Sequence, residues 1–132
     1  MSNVWRFKID IRDELIFQKL GKNMGVEFPK ELSSLILENN AASPDKNRII
    51  IKDIERVLDS LLSFNETEID AMTFNSAFQA VDNNLLIPFA MDPFGNFFCY
   101  MLDKNMVGYY DHEEQIIEET EYSLKQFIKN LY

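Results

Sequence analysis

The sequence predicts an α+β protein in one domain, residues 1–132, with helices before and after an antiparallel sheet. Three observations point there. "LLIPFAMDPFGNFFCYML", residues 85–102, sets two apolar runs on either side of a turn-sized polar break. "MVGYYD" follows as a third strand-like run, and amphipathic helical patterns flank the group. A chain of 132 residues suits a single domain and is long enough to bury a core without disulfide or metal.

From the N-terminus, Trp5, Phe7, Ile9 and Ile11 alternate with Arg6, Lys8 and Asp10, the period of a strand. "RDELIFQKLGKN" predicts a short helix stopped near Gly21 and Gly25. "FPKELSSLILENN" predicts a clearer one: Pro29 suits the first turn, Leu32, Leu35 and Ile36 share a face, and Asn39 and Asn40 suit the end. "AASPDKN" is expected as a loop and "RIIIK" as a buried strand. In residues 54–64 periodicity leaves helix and strand both open. Ile54, Val57, Leu58, Leu61 and Leu62 recur at helical spacing, while Leu58, Leu62 and Phe64 fit one face of a strand. "TEIDAMTFNSAFQAV" predicts a helix with Thr67 as its N-cap.

In residues 85–91, Ile87, Phe89 and Met91 alternate with Pro88 and Ala90. Residues 97–102 are apolar on both faces, so that strand belongs inside a sheet covered on both sides. "DPFGN" is a hairpin-sized turn, and "MVGYYD" completes a three-stranded meander. Adjacent Tyr109 and Tyr110 face opposite ways, so one of them is expected at the surface. Leu124, Phe127, Ile128 and Leu131 space a closing helix, with Glu119 and Glu121 near its positive end and Lys125 and Lys129 toward its negative end.

Hydrophobic residues make up 46% of the chain and aromatics 13%, which fits a folded rather than a disordered chain. The net charge of −9 repels nucleic-acid phosphate and favours a basic partner. Cys99 is the single cysteine, so an internal disulfide is ruled out and a reducing compartment fits. "MSNVWRFKIDIRDE" has no apolar stretch of signal-peptide type, and no run approaches a membrane span. A soluble, cytoplasmic protein is expected.

Little in the chain has the pattern of a catalyst. His112 is the only histidine, so no His pair exists for a metal. A Ser–His–Asp triad with Ser123 or Ser76 is formally possible, without a nucleophile elbow to support it. Cys99 sits mid-strand in an apolar run, the setting of a structural thiol. The acidic run "DHEEQIIEETE" contains Asp111, Glu113, Glu114, Glu118, Glu119 and Glu121 with no basic residue. Its spacing lacks the alternation of a calcium loop. Paired carboxylates for glycoside hydrolysis lack a visible acid/base spacing. A solvated edge, or a patch aimed at Lys and Arg of a partner protein, remains.

Several segments resemble one family. "LGKNMGVEFPKELSSLILENNAASP" is similar to its helix, "LP", helix and "NGG-P" succession. "IPFAMDPFGNFFCYML" resembles its "IPFA-D-GGN-FCYDL" hairpin, "VGYYDHE" its "V-YWDHE" strand, and "SLKQFIKNLY" its closing helix. This is the SUKH superfamily, in the branch related to the yeast cell-wall-assembly regulators Smi and Knr, resembled over about residues 12–131. The resemblance implies helices packed on a twisted, mainly antiparallel sheet, and so a strand at "RVLDSLLSFN". It implies bacterial immunity proteins that neutralise toxin domains, often nucleases, or signalling scaffolds in yeast-like relatives. It carries over no catalytic residue, metal or cofactor.

The chain departs from the pattern at Asn40, Ala41 and Ala42 in place of "NGG", at Phe94 before Gly95, and at Tyr110 where Trp is common. Asp92, Gly95, Asn96, Asp111 and His112 match recurring positions, as turn formers or as one edge of a binding surface. The candidate partner-binding set is Asp92, Asn96, Tyr110, Asp111, His112, Glu113, Glu114 and Glu118. The expected partner is a basic cognate toxin, with a non-toxin partner of a regulatory scaffold as the alternative.

Overall fold

The computed structural model describes residues 3–132. Its elements run β1 (Trp5–Arg6), α1 (Ile16–Met24), α2 (Lys30–Asn39), β2 (Ser43–Pro44), β3 (Arg48–Ile51), β4 (Ile54–Val57), β5 (Ser60–Leu61), α3 (Phe74–Val81), β6 (Leu86–Met91), β7 (Phe97–Met101), β8 (Met106–Asp111), β9 (Ile116–Glu119) and α4 (Leu124–Lys129). The main sheet is an antiparallel meander in the order β5-β6-β7-β8-β9. Two small antiparallel pairs, β1-β2 and β3-β4, stand beside it. The α+β expectation holds.

Every residue of β7 is buried, as its two apolar faces require. On one face, Phe127 of α4 meets Phe98 at 5.3 Å and Phe89 at 5.9 Å between ring centroids. On the same face the Tyr100 hydroxyl donates to Glu31 of α2 at 2.9 Å. The other face, with Leu86 and Tyr110, lies against the C-terminal end of α3. Pro88 is tolerated in an interior strand because a register shift follows it, between Pro88 and Ala90. A string of rings, Phe17, Phe28, Phe64, Phe74 and Phe78, ties α1 and α3 to the loops between them, with consecutive centroids 4.8–6.1 Å apart.

Several local expectations are corrected. The N-terminal strand is only Trp5–Arg6, because Phe7 turns the chain with φ 65° and stands 81% exposed. The segment expected as a loop lends Ser43–Pro44 to pair with it. Helix α1 runs through Gly21, where a Cβ would lie 2.7 Å from the Val26 carbonyl oxygen, and stops at the left-handed Gly25. Residues 54–64 hold strands, as the family resemblance implies. Strand β3 is buried on one side only, through Ile49 and Ile51, and turns into β4 through Lys52 and Asp53, both at positive φ. Helix α3 starts at Phe74, capped by Thr73, whose Oγ1 accepts the Ser76 N–H at 3.2 Å; Thr67 is no cap. The sheet gains β5 and β9 beyond the expected three strands. A capping box of Ser123 and Gln126 opens α4.

Buried polar groups lock the N-terminal segment to the centre. The fully buried Asn40 donates through Nδ2 to the Ile9 carbonyl (3.0 Å) and Ser63 Oγ (3.1 Å), and its Oδ1 accepts the Phe64 N–H (2.7 Å). Asn65 donates to the Asp10 carbonyl (2.9 Å) and Glu68 Oε1 (3.1 Å), and accepts the Arg12 N–H (2.9 Å). Glu68 also accepts from Ser63 Oγ at 2.9 Å. The Asn65 hydrogen bond, then the Ser63 hydrogen bond and the charge of the nearby Arg12, outweigh burial and hold the Glu68 carboxyl below its ordinary value.

Asn40→Ala strands the Phe64 N–H and the Ile9 carbonyl in the interior, and lowers the unfolding free energy by about 2–4 kcal/mol in urea titration. Glu68 has a depressed folded pKa, so its contribution is present above the unfolded carboxyl value and is lost as pH falls through the folded one. Glu68→Gln therefore flattens the acid limb of a stability-versus-pH curve below the ordinary glutamate range, which thermal melts across that range detect.

Candidate functional site

The pairing of Phe97 with Tyr110 brings the β6–β7 turn and the β8–β9 turn to one end of the sheet. The first turn is closed by Asp92. Its N–H donates to the Asn96 carbonyl at 2.9 Å. Its Oδ1 accepts the N–H groups of Phe94 (2.9 Å) and Asn96 (2.8 Å). Its Oδ2 accepts the Tyr109 hydroxyl (2.5 Å) and Asn96 Nδ2 (3.1 Å). Gly95, at φ 88°, supplies the left-handed step.

Asn96 joins the two turns. Its Nδ2 donates to the Asp92 carboxylate and, at 2.8 Å, to the Tyr109 hydroxyl oxygen, which fixes the orientation of the amide. Its Oδ1 then accepts the His112 backbone N–H at 3.0 Å and faces His112 Nδ1 at 2.6 Å. An amide oxygen has no proton to give, so the geometry assigns one to Nδ1. In the second turn, Asp111 Oδ1 accepts the N–H groups of Glu113 (2.9 Å) and Glu114 (3.2 Å).

Beneath the rim, the Arg56 guanidinium of β4 lies 4.5 Å over the Tyr109 ring and 3.8 Å from Glu118. The Arg56 Nε is buried without a hydrogen-bond partner among the described residues. Burial first, then the Asp92 hydrogen bond, pushes the Tyr109 phenol far up, so it stays a donor. Tyr100 is pushed up to about 12 by burial and by its bond to Glu31.

The expected set thus divides. Asp92 is 2% exposed and Tyr110 7%, so both lie beneath the surface they were expected to form. Both tyrosines of the pair are buried: Tyr110 lies against the end of α3, and Tyr109 lies under the Arg56 guanidinium of β4 and against the Phe98 ring. Asn96 and Asp111 are half-buried and order the turns; Glu118 is half-buried beside Arg56. His112, Glu113 and Glu114 face solvent. The sequence reading left out Phe94, 78% exposed on the locked turn, and the exposed Ile116. Phe94 was visible as a departure from the family's glycine; Arg56 gave no local signal.

The other chemistries find these positions. Cys99 is fully buried and its thiol is pushed up by burial. The Ser123 Oγ caps α4, and the Ser76 Oγ is bonded to Thr73. The His112 ring bonds only Asn96 among the described residues. Among those residues there is no group of three or more His, Cys, Asp or Glu placed to hold a metal ion. No helix of the described residues is long and apolar enough to cross a membrane.

A family profile described as SMI1-KNR4 cell-wall, SUKH_6, matches residues 14–128. The chain belongs to this SUKH family. The match spans all five strands of the main sheet and both rim turns, and leaves β1 outside. A search of curated proteins returned no match.

In this SUKH domain Asp92→Ala leaves the Tyr109 hydroxyl and two turn N–H groups without their acceptor, and costs about 2–4 kcal/mol of stability. Phe94→Ala, removing an exposed ring, stays within about 0.5 kcal/mol of the parent. Chemical denaturation of the two variants side by side checks the contrast.

Proposed function

We propose that this SUKH domain is a non-enzymatic immunity protein of the cytoplasm. Its rim of carboxylates docks on the basic surface of a cognate toxin domain, a nuclease by preference. The observation that carries the reading is the state of those carboxylates. Glu118 is near Arg56 and Glu119 pairs with Lys104. Asp111, Glu113 and Glu114 form no ion pair among the described residues. They stand on turns held rigid by Asp92, Asn96 and Asp111. Negative groups fixed in place speed encounter with a basic cleft and lose little entropy on docking. A nuclease must present such a cleft to bind phosphate, so a surface that repels nucleic acid suits its inhibitor. The family's cell-wall description favours a second reading, a regulatory scaffold for a non-toxin partner.

The test is co-expression with the toxin encoded beside this chain's gene. Rescue of growth, with a complex that weakens as salt rises, is expected. Glu113→Lys combined with Glu114→Lys should lower affinity by about tenfold or more, mostly through a slower on-rate at low salt, as read by biolayer interferometry. Neither binding nor rescue for the neighbouring toxin would defeat the immunity reading.

A further inference from the structure

Away from the rim, an apolar trough runs where α2 packs against α4. Leu35, Leu124 and Ile128 line its middle, with Glu31 and Glu38 on the α2 side and Lys125 on the α4 side. At one end, past Glu31, it opens toward Tyr100. At the other end a more polar hollow, which shares Glu38 and Ile128 with it, reaches the half-buried Trp5, Lys46 and Lys129. None of the rim residues lines it.

Along the middle of the trough the two banks carry opposite charge, while Lys30 lines only the end beside Tyr100. Glu31 and Glu38 lie about two turns apart on one side of α2, and Lys125 and Lys129 about one turn apart on α4. All four are exposed, and none forms an ion pair among the described residues. Glu31 is held by the Tyr100 hydroxyl instead. A surface with an acidic bank, an apolar floor and a basic bank is complementary to itself under one symmetry. A two-fold axis running along the trough sets the acidic bank of one copy over the basic bank of the other, twice. A two-fold axis across the trough would set Glu over Glu.

We propose that this trough is an isologous interface with a second copy of this chain, related by the axis along it. Leu35, Ile128 and Trp5, half-buried in one chain, lose their remaining water there. The net charge of −9 opposes association at low salt, so the dimer forms best near physiological ionic strength, where charges are screened beyond about 8 Å.

Sedimentation equilibrium and light scattering of the full chain, at up to about 200 µM in about 0.15 M salt, read the result directly. The wild type is expected as a dimer. Glu31→Lys with Glu38→Lys, and separately Lys125→Glu with Lys129→Glu, should each weaken the dimer by about tenfold or more. An equimolar mixture of the two variants restores opposite banks and should recover a heterodimer. Circular dichroism confirms that each variant is folded. The single changes Glu38→Lys and Lys129→Glu, which leave the Tyr100 contact intact, repeat the test. A wild type that stays monomeric overturns the proposal and leaves the trough to a segment of another protein. A dimer indifferent to both charge reversals, or a mixture that stays monomeric, overturns it as well.

Discussion

Burial of β7 on both faces is the constraint on which the rest of the structure depends. A strand with Phe97, Cys99 and Met101 on one side and Phe98 and Tyr100 on the other is stable only between two layers. That demand places α3 on one face and α2 with α4 on the other. At Gly108 an added Cβ would lie 2.8 Å from Ile117 Cδ1 and 3.0 Å from Met101 Sδ, so those side chains would have to shift to admit it. A slip of one residue would exchange the two faces of the strand that slips, so the register is fixed. A fixed register in turn brings the two rim turns together.

Elements whose own residues state their environment were legible in the sequence. The hairpin was readable because its apolar runs need no tertiary information, and α2 and α4 because their apolar spacing is helical. Where the decision lies elsewhere, local pattern misleads. Residues 54–62 have helical spacing, yet Lys52 and Asp53 take left-handed conformations and fold β4 back on β3. No Asn-Gly pair announces that turn. Residues 66–72 have helical composition, but Glu68 is drawn into the bonds of Ser63 and Asn65, and the helix waits for Thr73. Strand β9 was hidden because its acidic residues read as a solvated edge.

The candidate site was legible as charge and illegible as burial. Glu113 and Glu114 lie where an acidic run between strands should lie. Asp92 and Tyr110 were expected beside them, but exposure is a property of the assembled sheet. Asp92 is drawn inward by Tyr109, seventeen positions along the chain, and Tyr110 is covered by the end of α3. Arg56 reaches the same place from a separate hairpin.

Charge alone explains attraction to a basic partner but discriminates poorly among basic partners, because a carboxylate at the rim mainly affects the rate of encounter. Discrimination needs shape that is costly to mismatch. Under the proposed docking the rim would supply it beside the charge: Phe94 projects from a turn whose backbone is fixed by Asp92, and Ile116 stands at the start of β9. With the Phe94 backbone already anchored, only the torsions of its side chain remain to be ordered on contact. Under the proposed docking, a change at Phe94, whose exposed ring contributes little to the fold, is expected to alter recognition and leave the platform in place. The bonds of Asp92, Asn96 and Tyr109 hold the two turns together from beneath, independently of the exposed Phe94 ring.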